Sequence, residues 1–127
     1  IGFIISAFPE AKIVHLERDP RAVCWSNYRY YFGEKNNGYS NDFEDLAGFY
    51  GSYKDLMSFW NNLYPGKIYN LCYEELTENQ EVETRNLLKY CELEWDENCL
   101  NFHKNTNAVK TISSRQVKKK LYQELRQ

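Results

Sequence analysis

The sequence predicts an α/β fold in which short parallel strands are covered by helices. An alternating, β-branched run from Lys12 to Leu16 breaks into Arg18, Asp19 and Pro20 and resumes as a helix. A long stretch from Leu46 to Tyr64 spaces its apolar residues by three and four, and the strand-like run KIYNLCYEEL follows directly after Pro65 and Gly66. The order is helix, strand, helix, helix, strand, helix, helix, tail, and crossovers of that kind enforce parallel pairing. A pair of strands is marginal in water by itself, so the chain is expected to be part of a domain.

Each element has a local reason. IGFIISAF reads as the last turns of an amphipathic or buried helix that enters abruptly, which suggests that the chain begins inside a larger protein. The first strand is read as buried and stops at Glu17. Pro20 suits the first position of a helix, where its missing N–H would be unpaired anyway, and Asp19 before it is an N-cap. That helix is expected to run from about Pro20 to Phe32. The polar segment GEKNNGYSN is a loop.

The apolar positions Leu46, Phe49, Tyr50, Tyr53, Leu56, Met57, Trp60, Leu63 and Tyr64 then share a helix face read as core. Gly48 and Gly51 weaken that helix, which suggests the close approach of another backbone. The second strand leaves the sheet at Tyr73. Thr77 precedes a further helix with Glu78, Glu81 and Glu83 near its positive end, and a short helix follows from about Asp96 to His103. From Lys104 onward the chain is a polar loop and a basic, partly helical segment.

With 127 residues, 43% hydrophobic and 17% aromatic, the chain can make one modest domain with a core. A net charge of −2 argues against a general nucleic-acid binder. The charge is uneven: Arg115, Lys118, Lys119, Lys120 and Arg126 crowd the C-terminal end, while acids are frequent between Asp42 and Glu97, an asymmetry that permits a local anion site. Cys24, Cys72, Cys91 and Cys99 form no CxxC pair and read as buried thiols of a reducing, cytoplasmic compartment, the alternative for an even count being two disulfides and a secreted or lumenal origin. No signal-peptide pattern and no apolar run of membrane-spanning length is present in these residues.

Arg18 lies at the carboxyl end of a strand, where ligands gather in open α/β sheets. Ser26 stands about 9 Å of axial rise beyond Pro20, so an anion bonded to both lies alongside the helix. A guanidinium fork suits phosphate oxygens and a hydroxyl adds a neutral donor. From the residues alone, Arg18 can equally pair with Glu17 or Asp19, and Ser26 can be an ordinary helix residue. TISSRQVKKKLY, with hydroxyls before a run of cations, suits a phosphate or sulfate ester or is simply a solvated face. Tyr73 either presents its ring to a ligand in the same crevice or is a core tyrosine. There is no GxGxxG or GxxxxGK[ST]; Cys99 and His103 read as a packed pair rather than metal ligands, and no metal site or catalytic residue is assigned.

Together these segments resemble the C-terminal half of a sulfotransferase domain, of the bacterial type joined to tetratricopeptide repeats and related to protein-tyrosine sulfotransferases. FPEAKIVHLERDPRAVCWSNYRYYF is similar to the family's strand and helix for the 3′-phosphate of 3′-phosphoadenosine 5′-phosphosulfate (PAPS), in which an RDP arginine is followed eight positions later by serine, as are Arg18 and Ser26. LCYEEL resembles the YEDL segment, whose tyrosine lies near the adenine and falls on Tyr73. VKTISSRQVKKKLY resembles the cofactor loop VRTASxxQVRxPxY, matching at Val109, Thr111, Ser113, Gln116, Val117, Leu121 and Tyr122.

Lys118 stands where the family commonly has arginine, which keeps the charge and loses the fork, and Lys120 stands in place of proline. Arg29 falls one position from a further phosphate-binding arginine.

The resemblance implies part of a P-loop-NTPase-like parallel sheet covered by helices, with residues 1–127 as the C-terminal portion of a single domain. It implies cofactor contacts at Arg18, Ser26, Tyr73, Ser113, Gln116 and Lys118, with PAPS as co-substrate, adenosine 3′,5′-bisphosphate (PAP) as product and no metal. The acceptor would be a hydroxyl or phenol on a peptide, a carbohydrate or a small molecule. The family's N-terminal strand, its PRSGTT-type 5′-phosphosulfate loop and its general base fall upstream of the resembling segments, so the isolated chain is expected to be inactive. Two other classes stay open: a non-catalytic nucleotide- or anion-binding module, and a protein-interaction domain using the aromatic stripe and basic tail.

Overall fold

The structure, a computed structural model, describes residues 1–29 and 35–101, and the side chains of residues 38–101 within the second stretch. It is a mainly helical α/β fold: α1 (Gly2–Ala7), β1 (Ile13–Glu17), α2 (Pro20–Arg29), a 3-10 turn (Lys35–Asn41), α3 (Phe43–Leu63), β2 (Ile68–Cys72), α4 (Tyr73–Glu78), α5 (Gln80–Cys91) and a second 3-10 turn (Glu97–Cys99). β1 and β2 pair in a small parallel sheet. The chain forms two compact units, Ile1–Asn70 and Leu71–Gln127, and β2 carries it from the first into the second.

In the first unit α3 is the organising element. Asp42 caps it by accepting from the backbone N–H of Glu44 at 2.8 Å and of Asp45 at 3.1 Å, and the carboxylates of Glu44 and Asp45 sit at its positive end. This cap starts the helix at Phe43, three residues before the first member of the apolar stripe. Its inner line is Leu46, Tyr50, Tyr53, Met57, Trp60 and Tyr64: Leu46 is buried and the others half-buried. Burial of Leu46 contributes about 2 kcal/mol.

Phe49, Leu56 and Leu63, which the sequence places in the same core face, are each at least half exposed. They repeat every seven residues on a line displaced from the inner one. The three-and-four pattern therefore describes a stripe wider than the surface that covers it.

The first strand also differs from a buried one. Ile13, His15 and Glu17 are partly covered, whereas Val14 and Leu16 on the other face are 40% and 55% exposed. In β2, Ile68 and Leu71 are buried. At the near end of α3, α1 packs so closely that a Cβ on Gly2 would come within 2.9 Å of the Trp60 ring. No such approach occurs at Gly48 or Gly51, where an added Cβ meets nothing within 4 Å. The close backbone expected there is absent among the described residues.

In the second unit the chain turns helical at once. The segment YEEL continues as α4 rather than as strand, with Glu74 and Glu75 in the first turn where the helix dipole favours carboxylates. Thr77 lies inside this helix, its hydroxyl donating to the Glu74 carbonyl at 2.8 Å, and Asn79 marks the start of α5. α5 ends at Glu92, a non-glycine residue at φ 58°, with Leu93 N–H donating to the Leu88 carbonyl at 2.9 Å. Beyond it the Arg85 guanidinium lies 3.7 Å over the Trp95 ring and pairs with Glu81 at 2.8 Å.

The helix expected over Asp96–His103 is a 3-10 turn, capped by Asp96, which accepts from Asn98 N–H at 2.7 Å. His103 lies outside the described residues, as do the last turn expected of α2 and the whole basic C-terminal segment. All four cysteines are free and half-buried rather than buried. No helix among the described residues is long and apolar enough to cross a membrane.

Two substitutions test these local accounts. Gly51→Ala, at an exposed interior helix position with open space around it, is expected to raise the stability of the folded chain by about 1 kcal/mol in urea denaturation. Glu92→Gly is expected to stabilise by roughly 1 kcal/mol by relieving the left-handed backbone, read in the same way.

Candidate anion site

Arg18 is the first residue past the end of β1, half-buried, in a turn that delivers the chain into α2. The turn is set by Asp19. Its Oδ1 accepts from the backbone N–H of Arg21 at 2.8 Å and of Ala22 at 3.3 Å, as an N-cap before Pro20 should. Its Oδ2 takes the Arg21 guanidinium at 3.0 Å. The Arg21 side-chain bond first, against the opposing cost of desolvation and with the help of the two backbone donors, holds the Asp19 carboxyl down at about 2.

Ser26 is exposed on α2. It sits about 100° round the helix from Trp25. Trp25 and Tyr28 face the start of α3: Tyr28 stacks on Phe43 at 4.0 Å between ring centroids, and Trp25 lies 6.4 Å from Phe43. The Arg29 guanidinium covers Trp25 at 5.8 Å. These aromatic contacts fix the rotation of α2 and so the direction of Ser26.

A polar seam joins α3 to the end of β1. Lys54 makes an ion pair with Glu17, and the Tyr53 hydroxyl bonds to His15 Nε2. The other ring nitrogen, Nδ1, lies 2.8 Å from Asn70 Oδ1, Asn70 Nδ2 donates to Asn61 Oδ1 at 3.2 Å, and Asn61 Nδ2 donates to the Met57 carbonyl at 2.9 Å. That carbonyl can only accept, so the direction of the whole chain is fixed from its far end. Each amide is oriented in turn, His15 carries its proton on Nδ1, and Tyr53 donates to Nε2. One turn away the Tyr50 hydroxyl reaches the Arg18 carbonyl at 3.5 Å.

Burial raises the hydroxyls of Tyr50 and Tyr53 above their usual 10.0, so both remain donors at neutral pH. The bond to Glu17 raises the Lys54 ammonium, which remains a cation.

The sequence-predicted residues divide accordingly. Arg18 and Ser26 lie on one strand–turn–helix unit, and the first unit contains both. Tyr73 is half-buried at the first position of α4, in the second unit. Ser113, Gln116 and Lys118 lie outside the described residues. Sequence reasoning missed Tyr53, Lys54, Asn61 and Asn70. The one available signal was the spacing of Tyr50, Tyr53 and Lys54 by three and four, which puts their polar ends on the stripe otherwise read as apolar.

The described residues thus define an α/β protein that brings a guanidinium to the carboxyl end of a parallel strand and enters a capped helix directly after it. A model of the sulfotransferase family matches residues 1–97, and the chain belongs to that family. It is similar to an uncharacterized protein of Aquifex aeolicus (strain VF5), with 38% identity over 124 residues, which cover 96% of this chain and 16% of that protein. The chain therefore spans about a sixth of the length of the curated relative it matches.

The Asp19 cap makes a pH-dependent contribution of known sign. Its folded pKa of about 2 lies below the ordinary 3.8, so the stability it supplies is present above the ordinary value and is lost as pH falls through the folded one. Asp19→Asn, which keeps a capping oxygen and removes the charge, is expected to flatten the acid limb of stability in that window, measured by urea denaturation at a series of pH values.

Proposed function

We propose that this chain forms the 3′-phosphate and adenine side of the cofactor site in a PAPS-dependent sulfotransferase, on a P-loop-NTPase-like sheet. The observation that carries the reading is the position of Arg18, at the carboxyl end of β1 and directly before the capped start of α2, within the stretch that matches the family.

The local chemistry fits the anion. Glu17 and Asp19, the carboxylates on either side of Arg18, each have a cation of their own in Lys54 and Arg21. Arg18 would grip the 3′-phosphate through its guanidinium, and Ser26 would donate a hydroxyl to the same group. Tyr73 would lie against the adenine, and Ser113, Gln116 and Lys118 would close over the phosphates from the C-terminal segment.

When bound, PAPS supplies the sulfuryl group: the bond from sulfur to the phosphate oxygen breaks, one to the acceptor oxygen forms, the acceptor proton leaves, and PAP departs. Binding and orientation are what this chain's residues contribute. No catalytic residue is assigned among them. The acceptor would be an alcohol or phenol on a peptide, carbohydrate or small molecule.

Titration calorimetry with PAP tests the reading. Arg18→Ala is expected to weaken binding by roughly 10- to 100-fold, as for loss of a charge-assisted contact, and Ser26→Ala by a few-fold. Wild-type protein that gives no heat with PAP, or Arg18→Ala that binds like wild type, would overturn it.

A further inference from the structure

Glu17, Arg18 and Asp19 are consecutive, so a phosphate dianion drawn to Arg18 enters the field of two nearby carboxylates. An uncompensated carboxylate at that range repels the ligand and competes for the guanidinium. The fold assigns each carboxylate to a different cation. Arg21, on the first turn of α2, takes Asp19, and Lys54, which comes from α3 and is remote in sequence, takes Glu17.

The second pairing depends on tertiary structure. Lys54 reaches Glu17 because Tyr53 beside it bonds to His15, two residues before Glu17 on the same strand face. The five charged groups Glu17, Arg18, Asp19, Arg21 and Lys54 then carry a surplus of one positive charge; without Lys54 they carry none.

We infer that Lys54 is a positioning residue for the anion site, holding the Glu17 carboxylate and cancelling its charge so that Arg18 faces a phosphate dianion from a segment of net positive charge. This rests on the assignment of the 3′-phosphate to Arg18. Lys54 acts through Glu17 and need not touch the ligand. The effect is electrostatic and short-ranged, so it belongs to the 3′-phosphate, fades with salt, and disappears when Glu17 loses its charge.

The test compares PAP with adenosine 5′-monophosphate, which lacks the 3′-phosphate, by titration calorimetry on the whole chain. Lys54→Met is expected to weaken PAP by roughly threefold at low ionic strength and to leave the monophosphate unchanged. Lys54→Arg, which keeps the charge, and the double variant Glu17→Gln/Lys54→Met are expected to bind PAP like wild type. Arg18→Ala is run beside them.

If Arg18→Ala weakens PAP while Lys54→Met does not, the inference about Lys54 falls and the assignment of Arg18 stands. Equal weakening of both nucleotides by Lys54→Met marks a merely structural role and also overturns it. If Arg18→Ala itself binds like wild type, both fall together. Circular dichroism melts confirm that each variant is folded; Lys54 is 49% exposed, so its removal opens no core.

Discussion

The first unit depends on the seam between α3 and β1. A five-residue strand with two of its three aliphatic side chains, Val14 and Leu16, exposed has little apolar burial to hold it in register. What holds it is directional. Tyr53 and Lys54, adjacent on α3, engage His15 and Glu17, alternate residues on β1, and the two-residue period of the strand permits that match in one register. A slip by one residue would offer Val14 and Leu16 to the same partners. The asparagine chain continues the constraint from His15 across to β2, so helix and both strands share one hydrogen-bond direction that ends on a backbone carbonyl.

The consequence for function lies at the end of the strand. Because β1 is fixed at His15 and Glu17, the next residue enters the turn from a defined point, and the Asp19 cap fixes the exit into α2. The backbone at Arg18 is thus held on both sides, by the strand before it and the cap after it. The aromatic stack of Trp25, Tyr28 and Phe43 then sets the rotation of α2 against α3, and with it the direction of Ser26. Backbone, cap and ring packing position Arg18 and Ser26, the donors proposed for the anion.

Several apolar side chains among the described residues are largely exposed. Phe3 is 93% exposed and Phe8 68%, and Val14 and Leu16 line the uncovered face of β1. They bear on the sequence reading: β-branched alternation predicts a strand with one apolar face, and which face is covered is a property of its neighbours.

The sequence by itself determined what is local. Proline at the start of a helix, aspartate before it, the end of the long helix at Pro65, and the alternation of β1 act within a few residues, and the structure follows them. The family was legible there too, because the RDP strand–helix segment, LCYEEL and TISSRQVKKKLY occur in order along the chain, and the family model matches residues 1–97. A short-range signal was misread where two local rules competed: Thr77 reads as the residue before a helix, and lies inside α4, with Asn79 in that place before α5. Only tertiary structure decided that the apolar stripe of α3 is half covered, that its polar members grip β1, and that Lys54 rather than a neighbour in sequence takes the charge of Glu17. Those partners lie 37 residues apart, and no propensity or spacing encodes a contact that exists only after the helix has been laid along the strand.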